Sequence, residues 1–238
     1  MRSVLRGEIG SRIGGWASLL LAGTFIVGIA MFATVLRDYA TETLSAAEGV
    51  SFVVDHRAAL HVWYVVTLIV FGLALVPLVL ALHERLSESG SGWVKVATAL
   101  GLIWSGLVLA AGMIANTGVG AIADLAERDA ALAGALWSSL EAVQNGMGGG
   151  NEVVGGTWVL LVSGVALRSG LLSRWIALLG MASGASGLVT VVPSAESVGL
   201  VFGLGLIVWF AGVGWSLLRR PGVQRATSVA TVSDPIAT

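Results

Sequence analysis

Long apolar runs alternate with short polar breaks along this chain, and their length is that of membrane crossings. Residues 13–36, 60–82, 96–119, 146–167, 171–192 and 198–218 are each predominantly apolar. Each run is close to the ~20 residues that cross about 30 Å of hydrocarbon. The pattern therefore predicts an all-α polytopic membrane protein, a bundle of six transmembrane helices. The runs are continuous, which excludes the alternating pattern of a transmembrane β-barrel. The first run is longer than the ~7–15 residues of a signal-peptide core and reads as an uncleaved span. Pro77 predicts a kink in the second, because proline removes a backbone donor. Residues 45–54 form a short amphipathic piece in the loop 37–59. Residues 120–144 are more polar, with Ala/Leu spacing that predicts helical connecting structure outside the bilayer. The whole reads as one membrane domain over 1–220, followed by a disordered cytoplasmic tail over 221–238, rich in Thr, Ser and Val.

Composition supports this class. Hydrophobic residues make up 56% of the 238 and charged residues only 11%, about half the charge of a soluble domain. The 33 glycines point to closely packed helices. With no cysteine, disulfides, Fe–S clusters and thiol catalysis are excluded. The basic residues then set the orientation. Arg2, Arg6, Arg12, Arg85, Lys95, Arg168, Arg174, Arg219, Arg220 and Arg225 fall on one side, and only Arg37, Arg57 and Arg128 on the other. Both termini are therefore expected in the cytoplasm, with the loops 37–59 and 120–144 outside.

One span departs from the pattern. The stretch EAVQNGMGGGNEVVGGTWV (141–159) puts a carboxylate, Glu152, inside an apolar run. Gly148, Gly149, Gly155 and Gly156 lie a turn away on its face, and Asn145 and Glu141 lie further up. Glu152 is 16 residues before Arg168, hence about 24 Å above the inner end of its helix. His61 and Asn116 are expected at a similar height, and Arg57, His61 and Tyr64 share one face of the second span. An ionisable side chain in a span is a site hypothesis by default. The expected ligand-binding residues are Glu152, Asn145, Asn151, His61, Asn116, Arg57 and Tyr64, gathered in one outward-facing polar cavity. The opposing expectation is that Glu152 pairs with Arg57 or His61 to hold helices together, and that the glycines only let helices pack.

Other chemistry is not supported. Gly184-Ala185-Ser186-Gly187 matches the motif of rhomboid-type proteases, but no histidine follows His83 to serve as base. The glycine run at 146–150 lacks the Lys-Ser/Thr of a phosphate-binding loop. Three histidines and no cysteine leave no closed transition-metal site, and no cofactor is indicated. The basic residues do not cluster with aromatics, so nucleic acid is not a partner. Trp16, Trp93 and Trp175 read as interfacial anchors, and the deeper Trp104, Trp158 and Trp209 read as core, with the lining of a cavity as the alternative. Gly180/Gly184 and Gly199/Gly203 have the spacing that permits a homo-oligomer.

The stretches NGMGGGNEVVGGTWVLLVSGVALRSGLLSRWIALLG (145–180) and GLVFGLGLIVWFAGVGWSLLRR (199–220) resemble an uncharacterised family of bacterial six-helix membrane proteins, a domain of unknown function. The resemblance implies the six-span fold and a setting in the bacterial inner (plasma) membrane, and it implies no activity. The residues leave three functional classes open. One is binding or translocation of a small cation or amphipathic solute at Glu152, with membrane lipids and a small-molecule or lipid-like ligand as partners. Another is an intramembrane enzyme acting on a lipid-like substrate with Glu152 as general acid. The third is a structural or accessory membrane subunit.

Overall fold

The structure, a computed structural model, describes residues 2–37, 39, 44–190 and 199–219, without the side chains of 2–6, 148–151 and 200. The expected disordered tail and Pro193 lie outside the described residues. The described residues are helical apart from short turns and contain no strand. In chain order the helices are α1 (Arg2–Ala33), α2 (Ala46–Asp55), α3 (Arg57–Ser87), α4 (Trp93–Ala126), α5 (Ala130–Ser169), α6 (Arg174–Val189) and α7 (Gly199–Arg219). Five of them, α1, α3, α4, α5 and α7, are long and apolar enough to cross a membrane. α6 is apolar but has only 16 residues.

The breaks between helices follow local chemistry. Ser45 and Glu48 close a reciprocal capping box at the start of α2, which satisfies two backbone donors that the first turn leaves free. The exposed Glu48 carboxylate accepts from the Ser45 hydroxyl and backbone, and these bonds hold it below its ordinary pKa. The Asp129 carboxylate caps α5 by accepting from Leu132 N at 3.0 Å. At its far end Gly170 takes φ +69°, the left-handed turn that ends many helices. α3 continues through Pro77, but residues Val65–Val70 within it form a π-helical segment. The sequence marks a proline kink and gives no sign of this wide turn.

The five long helices and the shorter α6, which stands between α5 and α7, pack antiparallel in chain order, and α7 returns to α1, closing a ring. Between α4 and α5 the facing pairs are Gly101 with Trp158, Trp104 with Gly155, and Gly118 with Leu140. Gln144 Nε2 donates to Ala111 O at 2.8 Å in the same register. Between α1 and α7, Gly15 meets Gly214, and Ser18 Oγ donates to Phe210 O at 2.7 Å. The beginning of α1 therefore lies beside the end of α7. Lipid is as apolar as leucine, so such helices associate through close packing and interhelical hydrogen bonds. The outer faces carry exposed Leu20, Leu73, Leu80, Ile103 and Val208, whereas Trp158, Trp209 and Phe210 are shut inside. Trp16, Trp93 and Trp175 are all more than half exposed, as interfacial anchors would be.

A second apolar cluster sits at one end of the ring. Leu36, Val50, Phe52, Val53, Leu60, Val119, Ile122, Ala133 and Trp137 bring α2 onto the ends of α4 and α5. The expected boundaries change here. The third span and the first part of the 120–144 connector are one helix of 34 residues, and the rest of the connector and the fourth span are one of 40. Their Ala/Leu-rich extensions bury one face against α2, so the helices do not stop at the polar positions that a hydropathy boundary marks.

Candidate functional site

Two cavities lie side by side between the helices. The first, of about 390 Å³, takes a wall from each of the five long apolar helices. α1 contributes Phe25 and Phe32, α3 Trp63 and Phe71, α4 Trp104, and α7 Phe202. From α5 comes Glu152, the only ionisable residue that lines it among the described residues. Glu152 is half-buried and, among the described residues, makes no hydrogen bond or ion pair. Its Oε1 would lie 3.1 Å from a Cβ placed on Gly199, so the carboxylate rests against the α7 backbone where no side chain intervenes. The buried indole nitrogens of Trp63 and Trp104 likewise find no partner among the described residues. A donor left so costs about 1–3 kcal/mol. An open carboxylate among aromatic faces attracts a cation twice over, by its charge and by the negative ring faces.

The second cavity, of about 300 Å³, lies toward the α2 end and shares Trp63 and Leu68 with the first. It is lined by Tyr39, Tyr64, Trp137, Glu141, Gln144 and Asn145, among others. Tyr39 OH donates to Glu141 Oε1 at 2.7 Å. Burial, reinforced by Tyr64 and Glu141, pushes the Tyr39 phenol well above its ordinary pKa, so it stays protonated and keeps donating.

Where the sequence suggests a single polar cavity the structure has two, and the six of its seven residues whose side chains are described do not all converge. Glu152 alone reaches the first cavity, while Asn145 and Tyr64 line the second. His61 Nδ1 donates to Asn116 Oδ1 at 2.7 Å, which does join two of the expected residues, but neither lines either of these two cavities. Arg57 lies 3.8 Å from Asp124, with both side chains at least half exposed, a pair worth little. Neither of the partners considered for Glu152 is therefore bonded to it. The side chain of Asn151 lies outside the described residues. The physical reason for the scatter is geometric. Asn145 and Glu152 share a face but are seven residues apart, about 10 Å along the axis. His61 and Trp63, two apart, point in nearly opposite directions.

The glycine stripe has two neighbours. Gly155 lies under the Trp104 indole, and Gly156 meets Gly184 of α6, where a Cβ on either would come 2.6 Å from the other's carbonyl oxygen. Gly180 packs on Ser163 and Trp209, so both members of the Gly180/Gly184 pair are used within the chain. Ser186, in the protease-like motif, donates to Ser183 O at 2.7 Å and is a buried packing residue.

Sequence reasoning missed most of the aromatic lining. Trp104 reads as core or cavity lining, and Phe25, Phe32, Phe71 and Phe202 do not stand out from the apolar runs that contain them. The available signal was the spacing of Trp63, Thr67 and Phe71 at every fourth position, on the helix that faces Phe25 and Phe32. Glu141 stood on the stripe, but its partner Tyr39 is 102 residues away.

Such a ring, with apolar outer faces and an aromatic cavity holding one carboxylate, defines a multi-pass helical membrane protein. Within that class, the chain belongs to the family described as Domain of unknown function (DUF4386), matched over residues 16–219. That agrees with the resemblance carried by residues 145–180 and 199–220. No match was found among curated proteins or among solved structures.

Proposed function

We propose that this protein binds a small amphipathic cation in the Glu152 cavity and passes it across a bacterial inner membrane. The observation that carries the reading is a carboxylate that, among the described residues, is unpaired and is the only ionisable group in an aromatic cavity of about 390 Å³. A bare metal cation would lose its water with few oxygens to replace it. A cation with an apolar body suits the walls as well as the charge. The glycine contacts with α6 are compatible with this role, because they build the ring that encloses the cavity.

The proposal includes six crossings with both termini in the cytoplasm. α6 spans about 24 Å at 1.5 Å per residue, and its antiparallel neighbours α5 and α7 are both candidate spans. The start of α1 beside the end of α7 fits an even number of crossings, and the ten-to-three distribution of Lys and Arg orients them. The test is uptake of radiolabelled benzyltrimethylammonium into phosphatidylcholine liposomes containing the full-length protein. Glu152→Gln should reduce uptake by about tenfold or more, the equivalent of 1.4 kcal/mol. Equal uptake by that variant, or wild-type uptake no faster than in protein-free liposomes, would sink the reading.

A further inference from the structure

The cavity at Tyr39 and Glu141 shares with the Glu152 cavity a single carboxylate among aromatic rings, although it is more polar and built from different residues. Among the described residues its only carboxylate is Glu141, and no Lys, Arg or His lines it. Tyr39, Trp63, Tyr64 and Trp137 supply aromatic faces. The Tyr39 bond occupies Glu141 Oε1 and orients the group, and a carboxylate has a second oxygen with which to meet a ligand. Gln144 already gives an amide hydrogen to Ala111 O, so its own amide oxygen is the polar atom it has to offer, again an acceptor. The Asn145 amide and the Tyr64 hydroxyl can each turn an oxygen to a ligand, and because the one charge among the described lining residues is the Glu141 carboxylate, charge complementarity selects a cation.

The two carboxylates are related through one helix. Glu141 and Glu152 are eleven residues apart on α5, three turns and about 16 Å, and so lie on the same face. Between the two spaces stand Trp63 and Leu68, which line both. The Trp63 ring contacts Phe32 of the first cavity at 4.9 Å and Tyr64 of the second at 5.0 Å between centroids. Among the described residues no hydrogen bond holds its indole N–H. The partition therefore rests on ring contacts alone, at the start of the π-helical segment.

We infer that the cavity of Tyr39, Tyr64, Trp137 and Glu141 is a second binding site for a small amphipathic cation, in series with the Glu152 site and separated from it by Trp63. The inference rests on the reading of the Glu152 cavity and adds a station to it. Equilibrium dialysis of the purified full-length protein in neutral detergent against radiolabelled benzyltrimethylammonium counts the sites. Wild type should bind two per chain, Glu141→Gln one, Glu152→Gln one and the double variant none. Gln retains an acceptor for Tyr39, so Glu141→Gln should keep the wild-type Tm. If it fails to fold, Glu141→Asp replaces it and should weaken one of two sites about tenfold. One site in wild type with no loss in Glu141→Gln, or unchanged affinities in Glu141→Asp, would overturn the second site and leave the Glu152 reading standing. Loss in Glu141→Gln with none in Glu152→Gln would overturn the Glu152 reading and the two-station arrangement built on it. No binding at all would overturn both.

Discussion

Single residues determine whether this ring can close. At the Gly156/Gly184 crossing each glycine faces the other's carbonyl oxygen, and peptide backbone cannot turn aside as a side chain can. Gly156→Ala should therefore force α5 and α6 apart and destabilise the protein by about 1–3 kcal/mol. Gly164, on the same helix with open space where its Cβ would be, is the control. Gly164→Ala should be neutral or stabilising by up to about 1 kcal/mol, because alanine is the better helix former. Thermal unfolding of both variants in detergent checks the contrast, and equal Tm values would refute it. At this scale Glu152 was legible in the sequence, because one carboxylate in an apolar run stands out against the cost of burying charge. Its surroundings were not legible. Height along a helix follows from counting, but the cavity that a side chain enters depends on rotation and on which helices are neighbours.

At the scale of elements, short-range chemistry was readable where it is self-contained. Ser45 and Glu48 form their capping box within four residues, and the amphipathic piece over 45–54 is α2 almost residue for residue. The box gives α2 a pH dependence. Glu48 has a folded pKa below its ordinary value. Its contribution is thus fully present above the unfolded glutamate value, ~4.3, and is lost as pH falls through the lowered folded value. Hydrogen exchange at the α2 amides, corrected for intrinsic rates, should show protection falling as the pH drops below ~4.3. Ser45→Ala should lower α2 protection about fivefold at neutral pH and remove most of the pH dependence. A variant with the wild-type pH profile would contradict this account. The π-helical segment of α3 was not readable. Its residues, VVTLIV, would suit an ordinary helix, so the wide turn arises from packing against α1 and α4, information that no local window holds.

For the molecule as a whole, hydropathy supplied the membrane class and all five long apolar helices, while the lengths of α4 and α5 escaped it. Apolar content ends where lipid ends, but a helix continues as long as something covers its face, and here α2 does. The natural absence of cysteine makes the proposed topology directly measurable. Ala47→Cys and Ser89→Cys place single thiols at exposed positions before and after α3. In intact cells a membrane-impermeant maleimide should label Ala47→Cys, and should reach Ser89→Cys only after permeabilisation. Labelling of both from one side would refute the arrangement. The length of α5 has a mechanical consequence. Its 40 residues extend about 60 Å, twice the hydrocarbon thickness, and it is bound to α4 from Gly118 and Leu140 down to Gly101 and Trp158. Two rods joined in this way bend as one beam. Trp137, in the cap, and Gly155, under Trp104, are 18 residues apart on it, about 27 Å. A load applied to the cap, by a docking molecule or by lateral tension in the headgroup layer, reaches the cavity wall as leverage, with no loop in between to absorb it.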